Sequence, residues 1–156
     1  MAYDKAKYSV FEIAQWFLAQ DSMTHKKLQK LCYYAQAWYC ALYDGSPLFN
    51  ENFEAWVHGP VCRELYSKYS NYGWSSIPQV KNNDEKFTRK EFDILHAVYG
   101  LYSKYDGDQL EEITHQEKPW RDCRKGLKPY QPSNNLISIQ SMRDYYLSEY
   151  KKAQND

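Results

Sequence analysis

The chain has 156 residues, long enough for one domain with a real core, and its 43% apolar and 17% aromatic content argues against disorder. Lysine plus arginine equals aspartate plus glutamate at 20 each, so no net field draws the chain to nucleic acid or to a membrane surface. With no secretory apolar segment and no apolar run of bilayer length, a cytoplasmic protein without membrane or cofactor partners is expected.

Residues 1–8 are polar and read as a flexible N-terminus. Ser9 with Glu12 forms a capping box, and Val10, Ile13, Ala14, Phe17 and Leu18 then make an amphipathic helix ending near Gln20. Thr24 caps the helix on which the rest is organised, expected over about 24–43 and stopped by Asp44-Gly45. Leu28, Leu31, Cys32, Ala35, Tyr39 and Leu42 lie on one face, and Tyr34, Ala37 and Ala41 on another. A helix apolar on more than one side belongs inside a domain.

A short strand or hairpin is expected near 47–58, followed by the turn Gly59-Pro60, with Pro60 as the first residue of a third helix carrying Val61, Leu65, Tyr66 and Tyr69. Trp74 to Lys86 reads as a surface connection. Thr88 and Glu91 form a second capping box before a helix bearing Phe92, Leu95, Tyr99 and Tyr102, which Asp106-Gly107 stops. Asp108 is expected to cap a short helix to His115, and Pro119-Trp120 to start another turn. After a loop over 128–135, Ile139, Met142, Tyr146 and Tyr150 define a last helix, with 153–156 a flexible tail. The expected architecture is mainly α: one compact helical bundle over 9–152 around a central buried helix.

The 16 tyrosines, against 6 phenylalanines and 5 tryptophans, suit half-buried positions edging the core, with a minority left for an interface. Cys32, Cys40, Cys62 and Cys123 show no metal or disulfide spacing and read as reduced thiols. Cys62 is the one thiol to consider as a nucleophile, lying near a helix start with His58 four residues away, but no orienting group or oxyanion site accompanies it. His115-Gln116-Glu117 has the first half of a zinc-deaminase motif without the second, so a structural His115 bonding the loop before Pro119 is preferred and no metal site is expected. With no phosphate loop, GxSxG or HExxH, catalysis is not expected. Lys118, Arg121, Arg124, Lys125 and Lys128 follow an acidic run and read first as a solvated face, second as a patch for an acidic partner or a nucleic-acid backbone.

Two blocks resemble a known family, the Panacea domain, which includes SocA-like antitoxins and phage-associated proteins. The first runs from Leu28-Gln29-Lys30-Leu31 and Tyr33-Tyr34-Ala35-Gln36-Ala37 to Phe53-Glu54-Ala55-Trp56 and His58-Gly59-Pro60-Val61; the second holds Thr114-His115 and Pro119-Trp120. The resemblance implies protein binding: an antitoxin of a bacterial or prophage toxin–antitoxin system, neutralising a cognate protein toxin by direct contact. One branch resembles adaptors that deliver the toxin to an ATP-dependent protease. Relatives often carry an N-terminal DNA-binding helix-turn-helix, for which the residues before Ser9 leave no room, so autoregulation through such a segment is not expected; a small regulatory nucleic-acid-binding protein using the 118–128 basic cluster stays as an alternative. Candidate partner-binding residues are Trp56, His58, Tyr66, Tyr69, Tyr72, Trp74 and Trp120, with Trp56 and Trp120 favoured as core and the three tyrosines as surface.

Overall fold

The structure, a computed structural model, describes residues 6–155. Its centre is α2 (His25–Leu42), in which every residue from Leu28 to Ala37 is buried. A helix buried all round must be enclosed. Around α2 lie α1 (Val10–Gln20), α3 (Arg63–Tyr69), α4 (Arg89–Tyr102), α5 (Gly107–His115) and α7 (Ile139–Gln154), while α6 (Lys118–Cys123) bridges α5 and α7. The fold is mainly α, as expected.

Both capping boxes read from the sequence are present, at Ser9–Glu12 and Thr88–Glu91. Tyr8, assigned to a flexible end, is buried at 5% exposure, and its hydroxyl donates to Glu91 at 2.6 Å. The first five residues of that expected end, and Asp156 of the expected tail, lie outside the described residues; Ala153 and Gln154 are the last residues of α7.

The hairpin is real and lies slightly later than expected. β1 (Phe53–Trp56) pairs antiparallel with β2 (Gly59–Val61), Trp56 opposite Gly59, and on its other side with β3 (Leu136–Ile137). Pro60 therefore sits in a strand and does not start α3, whose N-cap is Cys62. An edge strand tolerates proline because one row of its N–H positions has no partner to lose. The chain stays extended because Gln29, on α2, brackets Cys62: its amide donates to the Cys62 carbonyl at 2.9 Å and its carbonyl accepts the Cys62 N–H at 2.8 Å. Two turns along the same helix, Gln36 holds the next loop similarly, its carbonyl accepting the Leu48 N–H and its amide donating to the Phe49 carbonyl, both at 2.7 Å.

Two more expectations shift. Asp106 caps α5, reciprocally with Gln109, and Gly107 is the first helical residue. The 74–86 connection is tied down at points: Ile77 donates to the Met23 carbonyl, and Asn83, buried, donates to Glu12 O at 3.1 Å.

Candidate functional site

The hairpin tip, Trp56-Val57-His58-Gly59, is held from beneath by three helices. From α2, the Lys30 amine donates to the Pro60 carbonyl at 3.3 Å. From α5, Thr114 closes the floor: a Cβ added to Gly59 would lie 2.7 Å from Lys30 Cε and 3.1 Å from Thr114 Oγ1. Gly59 has φ +107°, a conformation costly for other residues, so glycine is required here on both counts. From α6, Trp120 Nε1 donates to the Trp56 carbonyl at 2.8 Å, and the Trp120 ring stacks on His115 at 3.8 Å and 11°. His115 thus acts by stacking against Trp120, where a hydrogen bond to the loop before Pro119 was expected.

Above this floor the tip presents an outer face. Trp56 is half-buried; its indole donates to Glu54 at 2.9 Å, and Arg63 forks the same carboxylate at 2.8 and 3.1 Å while lying 5.5 Å over the Trp56 ring. Tyr66 packs on Trp56 at 5.0 Å and on His25 at 5.9 Å. His58 is exposed and pairs with Glu111 at 3.2 Å. An open groove of about 540 Å³ follows, lined by Trp56, Val57, His58 and Arg63 on one side and Pro132, Ser133 and Asn134 on the other. Tyr69 is half-buried with Tyr72 at 6.5 Å along α3 and the turn after it, and Trp74 beyond them is 86% exposed. Of the seven candidates, Trp56 and His58 line the groove, Tyr66 packs on Trp56 beside it, Tyr69, Tyr72 and Trp74 continue from α3, and Trp120 lies behind the hairpin as its anchor.

The basic cluster does not survive as a unit. Arg124 is buried at 6% exposure, its guanidinium donating to the carbonyls of Ala55 at 2.9 Å, Gln131 at 2.6 Å and Lys128 at 3.3 Å. It fastens β1 to the 128–131 loop. Lys118, Arg121, Lys125 and Lys128 are exposed, with Lys118 paired to Asp122 at 3.8 Å.

The electrostatics of the site follow from burial and pairing. Hydrogen bonding from Arg63 holds Glu54 below the usual carboxylate range. Burial opposes ionisation of Glu111, but hydrogen bonds from Lys26 and His58 outweigh it and hold that carboxyl low as well. Burial pushes the Lys30 amine down to about 7, with Lys26 adding to the effect and Glu111 opposing it. Burial pushes the Cys62 thiol up to about 12, which cancels any activation by the helix start and removes it as a nucleophile at neutral pH. Among the described residues no group of three or more His, Cys, Asp or Glu side chains is placed to hold a metal ion.

Sequence reasoning does not single out Gln29 and Lys30 as site residues, although the signal is there: polar residues inside a helix that is otherwise apolar on every side need internal partners.

The helical domain thus commits buried polar side chains to fixing one two-residue turn and leaves aromatic rings beside it. Residues 28–121, more than half of the chain, match the family model of the SocA-like antitoxins, the Panacea domain, and the chain belongs to this family. The role this family supports is of antitoxin type. No curated protein and no solved structure gives a match. No helix among the described residues is long and apolar enough to cross a membrane.

Proposed function

We propose that the chain is the neutralising member of a toxin–antitoxin pair, acting in the cytoplasm by direct contact with a cognate protein toxin. The contact face is the hairpin tip, the groove beside it and the exposed aromatic side of α3. The observation that carries this reading is convergence: Gln29, Lys30, Trp56, Gly59, Pro60, Thr114 and Trp120, drawn from both family blocks, meet at one place and fix a turn. Half-buried tryptophan and tyrosine beside a polar rim suit a protein interface, since large rings bury area with little entropy loss. Burial of Arg124 weakens the competing nucleic-acid reading, because it removes one charge from the patch.

Co-expression with the product of the neighbouring reading frame tests the proposal. Growth rescue with a stable complex is expected. Trp56→Ala and Tyr66→Ala should weaken binding about tenfold or more, and Trp74→Ala should do so with stability within about 0.5 kcal/mol of the wild type, given its exposure. Rescue accompanied by loss of the toxin band would indicate delivery to an ATP-dependent protease. A harmless neighbour that does not bind would defeat the antitoxin reading for this pair.

A further inference from the structure

Lys30 sits beneath the hairpin in a position unusual for a lysine. It is 1% exposed, and its amine has one hydrogen bond among the described residues, the 3.3 Å contact to the Pro60 carbonyl. An ammonium has three protons to place, so this setting leaves the charged form poorly satisfied. The charged and titratable groups facing the amine are Lys26 and His25 from α2, Glu111 and His115 from α5, and His58 on the hairpin, which reaches it through Glu111. The one carboxylate among them is paired away from Lys30: Glu111 lies 2.6 Å from the Lys26 amine and 3.2 Å from His58 and makes no hydrogen bond to Lys30 among the described residues, while Lys26 also donates to Asp108 at 2.6 Å. Space is equally short, since the Lys30 stem and Thr114 fill the room a Cβ on Gly59 would need.

We propose that Lys30 is a proton-responsive strut: as a neutral amine it seats the Gly59–Val61 strand on α2, and when it takes up a proton it releases that strand. The direction follows from linkage. With the amine at about 7 when covered and at its ordinary 10.5 when released, the covered form binds fewer protons between those values. Seating is therefore firmest at alkaline pH, weakens as pH falls toward 7 and changes little below it. The Trp56–His58 turn moves with this strand, so the presented face becomes less ordered at the acidic end of the cytoplasmic range. That consequence for docking rests on the antitoxin reading; the device does not, and it is measurable on the chain alone.

Amide hydrogen exchange by NMR on the wild type and on Lys30→Met, from pH 6.5 to 9, is the test. The hairpin opening constant at Gly59 and Val61, wild type over variant, should rise about ninefold from pH 9 to 8 and about fivefold from pH 8 to 7, then level off. Taking the ratio cancels the intrinsic pH dependence of exchange. Amides of Ile94 to Val98 in α4 serve as the control and should keep a constant ratio. A flat hairpin ratio would overturn the proposal, as would a change of equal size in α4, which would mean global unfolding. If Lys30→Met does not fold, the Lys30 Cε resonance of the wild type is followed instead. A midpoint near 7 with hairpin amide shifts moving in step supports the strut, whereas an ordinary lysine midpoint, or hairpin shifts that do not follow it, overturns it.

Discussion

Glu117 gives the fold a pH dependence of unusual sign. It stands at the N-cap of α6, and one carboxylate oxygen accepts from both Tyr34 of α2, at 2.7 Å, and Tyr146 of α7, at 2.8 Å. Tyr146 in turn meets the Tyr33 hydroxyl at 3.1 Å. Burial raises this carboxyl from its ordinary 4.5 to about 7; the two tyrosine donors pull it down in part and Glu149 pushes it up. The folded chain thus holds a proton on Glu117 that the unfolded chain gives up, and the stabilisation present below pH 4.5 is lost as pH rises through about 7. A tenfold difference in proton affinity is worth about 1.4 kcal/mol, so the effect is about 2–3 kcal/mol, allowing for residual solvent at the carboxyl. Glu117→Gln keeps an acceptor for the tyrosines and cannot ionise. It should match the wild type near pH 4.5 and be more stable by about 2–3 kcal/mol at pH 8. His25 and His115, both held below the usual imidazole range by burial, act in the opposite sense close by, and comparing the two proteins cancels them. Urea unfolding at half-unit steps from pH 4.5 to 8 reads the difference directly. Parallel stability curves would refute the reasoning, because they would mean that Glu117 has the same proton affinity folded and unfolded.

Three other outcomes are expected. Gly59→Ala forces a side chain into φ +107° and against Lys30 Cε, and should destabilise by about 1–3 kcal/mol in urea unfolding; a loss within about 0.5 kcal/mol would show that the turn adapts. Arg124→Met strips donors from three carbonyls and should cost about 2–4 kcal/mol, while Arg121→Ala, exposed in α6 just before it, should stay within about 0.5 kcal/mol by the same assay. In native protein at pH 8, a thiol reagent should label partly exposed Cys123 first and leave Cys62 unreacted until the fold opens; fast labelling of Cys62 would contradict its burial.

The central helix, the two capping boxes and the last helix were legible because each depends on spacing within a few residues. What was misread depends on distant partners. Gly-Pro is compatible with both a helix start and an edge strand, and Gln29 and Lys30, about thirty residues earlier, decide between them by holding Cys62 and Pro60 extended. Asp106 and Asp108 flank Gly107 with similar capping potential; Gln109, three residues after Asp106, closes the box that selects it. Arg124 sits among lysines and arginines that are all solvated, and nothing local says that the Ala55 carbonyl, 69 residues away, points at it. β3 has two residues and exists only because β1 offers it an edge.

The tyrosines explain how the interior and the proposed interface divide the same residue type. Their half-polar character suggests the edges of the core, yet Tyr33, Tyr34 and Tyr146 are completely or almost completely buried, and Tyr8 nearly so. A helix enclosed on every side needs large side chains around it, and a tyrosine adds to its volume a hydroxyl that cross-links neighbouring helices. That hydroxyl must have a partner, and this fold supplies partners from capping positions. Glu91 serves the Thr88 box and accepts Tyr8; Glu117 occupies the N-cap position of α6, and its carboxylate accepts Tyr34 and Tyr146. Tyr102 stacks on Tyr34 at 4.0 Å and takes the Trp38 indole proton at 2.9 Å. Each ring fixed inside in this way is unavailable for recognition. Of the exposed rings outside this network, Tyr66 on α3 and Tyr72 and Trp74 just after it lie together beyond the hairpin, whereas Tyr130 and Tyr150 stand apart in sequence, and a mutational search for the proposed contact gains most by starting with the first three.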